Sequence, residues 1–178
     1  MLTVLANGLN ARWSSTVPKV LYQYRGEPLI LRTIRLFEAL TGQRAIVPCW
    51  HCEVVKALDG RELRVGETTS AKETLLRTRS LWDSHNWALL GDVYYTDAAA
   101  QKIVACKESL AFFGSWKQRE LFAITWWDSI KLAEALEQPG HFNRLWDAYA
   151  YASGQKVAVP GPLLRLIEDE TTDFDVQP

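Results

Sequence analysis

What most limits the folds open to this chain is an alternation. Short apolar runs take turns with segments whose apolar residues recur at helical spacing. Leu2-Thr3-Val4-Leu5 is short enough for a buried strand. Pro28 to Leu40 follows as a helix: Leu29, Ile30, Ile34, Phe37 and Leu40 share a face, Pro28 suits the first turn and Gly42 sits just past the end. Arg44 to Val47 predicts a second strand, stopped by Pro48. A weak helix over Glu53 to Leu58, a turn at Asp59-Gly60 and a short strand over Leu63 to Val65 come next. Ser70-Ala71-Lys72-Glu73 has the spacing of a capping box and predicts a helix running on to Leu81. Asn86 to Leu90 is a buried strand that exits at Gly91-Asp92, and Thr96-Asp97 caps a helix to about Lys107. Ser109 to Phe113 and Leu121 to Trp126 are further strands. Ser129 to Leu136 and His141 to Ala152 are helices, and Leu163 to Ile167 is a last strand or short helix.

This order predicts an α/β protein, a single domain over 1–178 with three layers, α/β/α, around a mostly parallel central sheet. In such sheets ligands bind at the carboxyl ends of the strands. The residues that leave the first strand and those that follow Leu90 are therefore the first places to seek a site.

The segment after the first strand is small and polar, Ala6-Asn7-Gly8-Leu9-Asn10-Ala11, and then carries Arg12 and, beyond Pro18, Lys19. A strand that ends in such a loop can turn backbone N–H groups toward an anion. Arg12 offers a forked contact to phosphate oxygens and Lys19 a point charge. The same residues also fit a plain loop with two solvated charges. Trp13 either covers a bound nucleotide or packs on the sheet edge. Asp92 is a carboxylate at the exit of a buried strand and equally a turn aspartate after glycine. The acidic stretch Glu168 to Asp175 offers more carboxylates, although most terminal charge runs are solvated.

Composition removes other classes. A net charge of −1 over 178 residues gives no electrostatic footprint for duplex nucleic acid. No apolar run approaches the roughly 20 residues of a membrane span. The N-terminus has no basic start and long apolar core of a secretory signal. The expected location is the cytoplasm. Three cysteines fit a reducing compartment better than a disulfide framework.

Leu5-Ala6-Asn7-Gly8-Leu9-Asn10-Ala11-Arg12 and Pro18-Lys19 resemble the signature of the sugar-nucleotidyltransferase superfamily, L-A-x-G-x-G-x-R followed by P-K. Gly26-Glu27-Pro28-Leu29-Ile30 is similar to that family's G-x-P-L-I. Asn10 replaces the second glycine, and Ala11 the usual threonine; Asn tolerates positive φ better than other non-glycine residues. The resemblance implies the nucleotide-diphospho-sugar transferase fold. It also implies transfer of a nucleoside monophosphate from a nucleoside triphosphate to a phosphorylated acceptor, with Mg²⁺ as cofactor and pyrophosphate as product. The implied catalytic residues are Arg12 and Lys19. The implied nucleotide-binding residues are Leu5, Ala6, Asn7, Gly8 and Asn10, with Thr69 beside Thr68 and Ser70 as a further contact to base or ribose. Asp92 and Asp175 are the implied metal ligands. The strand pair between Phe112 and Trp126 is where the acceptor would lie. A sugar phosphate, phosphocholine or a pterin cofactor would each serve as acceptor.

Two other classes stay open. One is a domain that keeps the fold and binds a nucleotide or partner without catalysis, for which Asn10 is the relevant departure. The other is a thiol–disulfide protein. Cys49-Trp50-His51-Cys52 follows a strand and precedes a helix, the context of a redox pair. The spacing of Cys49, His51, Cys52 and Cys106 matches no usual zinc site. Trp126, Trp127 and Trp146 are expected in the core.

Overall fold

The computed structural model describes residues 1–7, 17–115, 120–138, 145–152 and 166–167. Its elements are β1 (Leu2–Leu5), β2 (Gln23–Tyr24), β3 (Glu27–Pro28), α1 (Leu29–Thr41), β4 (Ala45–Cys49), α2 (Cys52–Ala57), β5 (Glu62–Arg64), α3 (Ala71–Leu76), β6 (Asn86–Leu90), α4 (Asp97–Ala105), β7 (Leu110–Ser115), β8 (Glu120–Trp126), α5 (Ser129–Glu137), α6 (Leu145–Ala152) and β9 (Leu166–Ile167). Seven strands form one sheet in the order β5-β4-β1-β6-β8-β7-β9. Neighbours pair in parallel except at β8, which runs against both β6 and β7. The fold is α/β with helices on both faces, as the alternation predicted.

Burial explains the layers. β1 is buried at all four positions and faces helices on both sides. Leu2 and Val4 pack with Ile30, Ile34 and Phe37 of α1 and with Ala100 and Ile103 of α4. Leu5 and Ala88 pack on the other face with Leu75 of α3, Leu132 and Leu136 of α5, and Trp146 and Tyr149 of α6. A central parallel strand has no solvent face, so its sequence is a continuous apolar run rather than an alternation. Trp126 and Trp146 lie in this second core, but Trp127 does not: it is 48% exposed, because it follows the end of β8.

Local corrections have local causes. Pro48 does not stop the second strand. The pairing with β1 ends at Thr3–Ile46, and Val47 N–H donates to Arg61 O on the other side. The N–H that Pro48 lacks therefore falls where the ladder to β1 has already ended. The helix expected to reach Leu81 stops at Leu76. The Thr78 hydroxyl donates to Leu75 O at 2.7 Å, and a 3₁₀ turn over Arg79–Leu81 follows. The hairpin β2–β3 was not expected. Its turn residues Arg25 and Gly26 both have positive φ, 54° and 84°, the combination that matches the twist of a two-residue hairpin. The last apolar segment is a strand over Leu166–Ile167, parallel to β7. Among the described residues no helix is long and apolar enough to cross a membrane.

Candidate functional site

The chain leaves β1 toward β4 and β5 on one side, then returns to add β6 on the other. The reversal falls at the carboxyl ends of β1 and β6, the position at which open α/β sheets bind ligands. Leu5 pairs with Leu90, and Gly91 N–H donates to Leu5 O at 2.9 Å. A Cβ on Gly91 would stand 3.0 Å from that same carbonyl oxygen. The glycine lets the two strand exits close on each other, and it delivers the next residue, Asp92, to the rim.

Asp92 meets Lys19 there. The ammonium lies 3.4 Å from Asp92 Oδ2, with the lysine side chain 15% exposed and the carboxylate 34%. Lys19 opens a 3₁₀ turn over Lys19–Leu21, anchored by the buried Val20. Its carbonyl accepts Tyr22 N–H at 3.0 Å, and Pro18 O accepts Leu21 N–H at 2.8 Å. The loop that bears Asp92 is held from below by Tyr95, which is fully buried. The phenol accepts Leu90 N–H at 3.0 Å and donates to Phe122 O at 2.6 Å, joining the ends of β6 and β8. Burial pushes its pKa well up, so it stays a neutral donor.

The other rim is a directed hydrogen-bond chain. Thr74 Oγ1 donates to Ser70 O at 2.9 Å. Its 2.6 Å contact with Thr68 Oγ1 must then be donated by Thr68. Thr68 in turn accepts from Asn7 Nδ2 at 2.6 Å, and the same amide nitrogen donates to Gly66 O at 3.1 Å. Asn7 thus ties the exit of β1 to the loop that opens α3. Among the described residues its buried Oδ1 has no partner. Half of the predicted capping box is present: Ser70 accepts Glu73 N–H, but the Glu73 carboxylate bonds Thr69 rather than the Ser70 N–H. Glu73 Oε2 reaches back to Thr69, accepting its N–H at 2.9 Å and its hydroxyl at 3.1 Å, and Thr69 itself is exposed.

The structure therefore brings Leu5, Ala6, Asn7, Lys19 and Asp92 to one edge, with Thr69 on the loop bonded to Asn7. Gly8, Asn10, Arg12, Trp13 and Asp175 lie outside the described residues. Among the described residues no group of three or more His, Cys, Asp or Glu side chains gathers as a metal centre. A single partly exposed carboxylate still fits Mg²⁺, which keeps several waters and takes further oxygens from phosphates. Sequence reasoning missed Tyr95 and Arg32, whose contacts span the chain and leave no spacing signal.

The setting of Cys49 is the opposite of a redox nucleophile's. Cys49 is the last residue of β4, fully buried, and burial, with Glu62 nearby, pushes its thiol up to about 11. A redox nucleophile needs the opposite shift. Cys52 is exposed at the first position of α2, and Trp50 stacks on His51 with centroids 4.5 Å apart.

No family model matches the chain, and no curated protein matches it in sequence. Solved structures do match. A nucleotidyl transferase from Methanothermobacter superposes with a TM-score of 0.68 at 18% identity, over 94% of this chain and 85% of its own. The inositol-1-phosphate CTP transferase of T. maritima gives 0.60 at 11% identity, over 94% and 84%. The bifunctional IspDF of Campylobacter jejuni gives 0.64 at 16% identity; it covers 95% of this chain, which spans only 49% of that longer protein. At these identities the likeness is one of fold. The chain shares its fold with these solved nucleotidyltransferases.

Proposed function

We propose that this chain is a small Mg²⁺-dependent nucleotidyltransferase, one domain that moves a nucleoside monophosphate from a nucleoside triphosphate to a phosphorylated acceptor. The observation that carries the reading is the Lys19–Asp92 pair at the switch point of a sheet whose fold is shared with solved nucleotidyltransferases. In the reaction an acceptor phosphate oxygen attacks the α-phosphorus and pyrophosphate leaves in line. This chemistry depends on positioning and charge neutralisation more than on a covalent nucleophile. Lys19 neutralises charge that develops at the α-phosphate. Arg12 holds the departing pyrophosphate. Backbone N–H groups of the loop from Leu5 through Gly8 to Asn10 cradle phosphates, and Thr69 contacts base or ribose. Asp92, with Asp175, would hold Mg²⁺, which would polarise the phosphoryl oxygens.

The test is a thermal-shift screen of the four nucleoside triphosphates with and without Mg²⁺, paired with an assay of pyrophosphate release on phosphorylated acceptors. A nucleotide at a hundred times its Kd adds about 2.7 kcal/mol of apparent stability, a shift of roughly 5–10 °C for a chain of this size. Asp92→Asn should remain folded and lose the Mg²⁺-dependent part of the shift. Unchanged metal-dependent binding in that variant would remove Asp92 from the site, and no shift with any nucleotide would reject the reading. Binding without turnover would mark a nucleotide-binding domain that has kept the fold.

A further inference from the structure

We propose that Arg32 is a positioning residue that sets Asp92 against Lys19, acting through Tyr94. Lys19 and Asp92 stand on segments that share no strand pairing, so something must fix the distance between them. Arg32 lies in the first half of α1 and is only 15% exposed. Its Nη1 donates to Tyr95 O at 2.7 Å, its guanidinium lies 4.3 Å from the centre of the Tyr94 ring, and its Nη2 reaches Asp97 Oδ1 at 3.3 Å. One side chain therefore grips the backbone and a ring of the loop that carries Asp92.

The Tyr94 ring continues the path. Its other contact is edge-on to Tyr24, with centroids 4.7 Å apart, and Arg25 covers both rings at 5.4 and 6.0 Å. Tyr24 belongs to the hairpin that directly follows the Lys19 turn. That hairpin is joined to α1 again where Leu29 N–H donates to Tyr22 O at 3.1 Å. The order guanidinium, ring, ring, guanidinium thus links the lysine segment to the aspartate segment, with α1 as the common base. Planar cations over aromatic faces hold orientation as well as distance. A lysine at position 32 keeps the charge but cannot hold Tyr95 O while lying flat on Tyr94.

Asp97 is 76% exposed, so the ion pair with it is the weak part of the arrangement and serves as the control. The kinetic consequence rests on the nucleotidyltransferase reading; the structural one does not. The experiment therefore has two arms on the full chain. In the first, hydrogen exchange is followed by mass spectrometry in wild type, Arg32→Lys, Tyr94→Leu and Asp97→Asn, without nucleotide. Arg32→Lys and Tyr94→Leu should each speed exchange by about tenfold in both 17–24 and 91–96, and Asp97→Asn should change neither. Faster exchange confined to one of the two segments would overturn the proposal. In the second arm, pyrophosphate release should show a kcat lower by about tenfold in Arg32→Lys with KM within about twofold. Adding Lys19→Ala to Arg32→Lys should cost no more than Lys19→Ala alone. Losses that multiply would overturn the positioning role. If wild type releases no pyrophosphate, the functional reading fails while the exchange arm still decides the linkage.

Discussion

At the scale of single residues, charge pairs matter here according to how much else they touch. Glu38 on α1 is the strongest case outside the candidate site. Arg61 donates to it twice, at 3.0 and 3.2 Å, and Ala45 N–H donates to the same carboxylate at 2.8 Å. These donors, Arg61 first, hold its pKa below the ordinary 4.5 against the opposing effect of burial. A carboxylate with a depressed folded pKa contributes stability that is complete above its unfolded value and is lost as pH falls through the folded one. Glu38→Gln should therefore cost about 1–2 kcal/mol at pH 7. The difference from wild type should shrink as pH falls below the ordinary 4.5 and through the lowered folded value. Urea midpoints at pH 7 and pH 3 check both the size and the sign. A deficit that stays constant with pH would mean that packing, not charge, is lost.

At the scale of elements, the starts of α3 and α4 and the end of α1 were legible because their signals are local, whereas the end of α3 was not. Ser70, Thr96 and Asp128 each accept a backbone N–H three residues on, and Gly42 closes α1 in the left-handed conformation. The β7–β8 hairpin shows the opposite case. Its register shifts between Phe113 and Gly114, and a Cβ on Gly114 would collide with Glu120 O and meet Leu121 Cα at 2.9 Å. Both obstacles are main chain, so neither can swing aside. Gly114→Ala should lower stability by roughly 1–3 kcal/mol, read as a lower thermal midpoint. A neutral result would show that the hairpin slides at no cost.

At the scale of the whole molecule, the candidate site lies where two halves of the chain converge. β1, β4 and β5 build one half of the sheet, β6 returns to extend the other, and Gly91 is the joint between them. A methyl group there would press on Leu5 O at 3.0 Å and on Val4 and Ile30 at 3.3 and 3.4 Å. Gly91→Ala should cost about 1–3 kcal/mol. It should also weaken Mg²⁺-dependent nucleotide binding beyond what the stability loss explains, by calorimetry at a temperature where the variant is folded. Affinity equal to wild type would place the nucleotide away from this joint. Apart from the β2–β3 hairpin, the order of elements and the layers were readable from the chain, as was the sheet edge proposed for the site, because apolar periodicity and strand exits are properties of neighbouring residues. The flanking motif residues Lys19 and Asp92 could also be named from the sequence. Their 3.4 Å approach could not, nor could the burial of the Cys49 thiol, Tyr95 joining β6 to β8, or Arg32 reaching the loop after β6. Each of those depends on side chains that meet only after the sheet has formed, and a contact between distant segments leaves no period or spacing in the sequence that creates it.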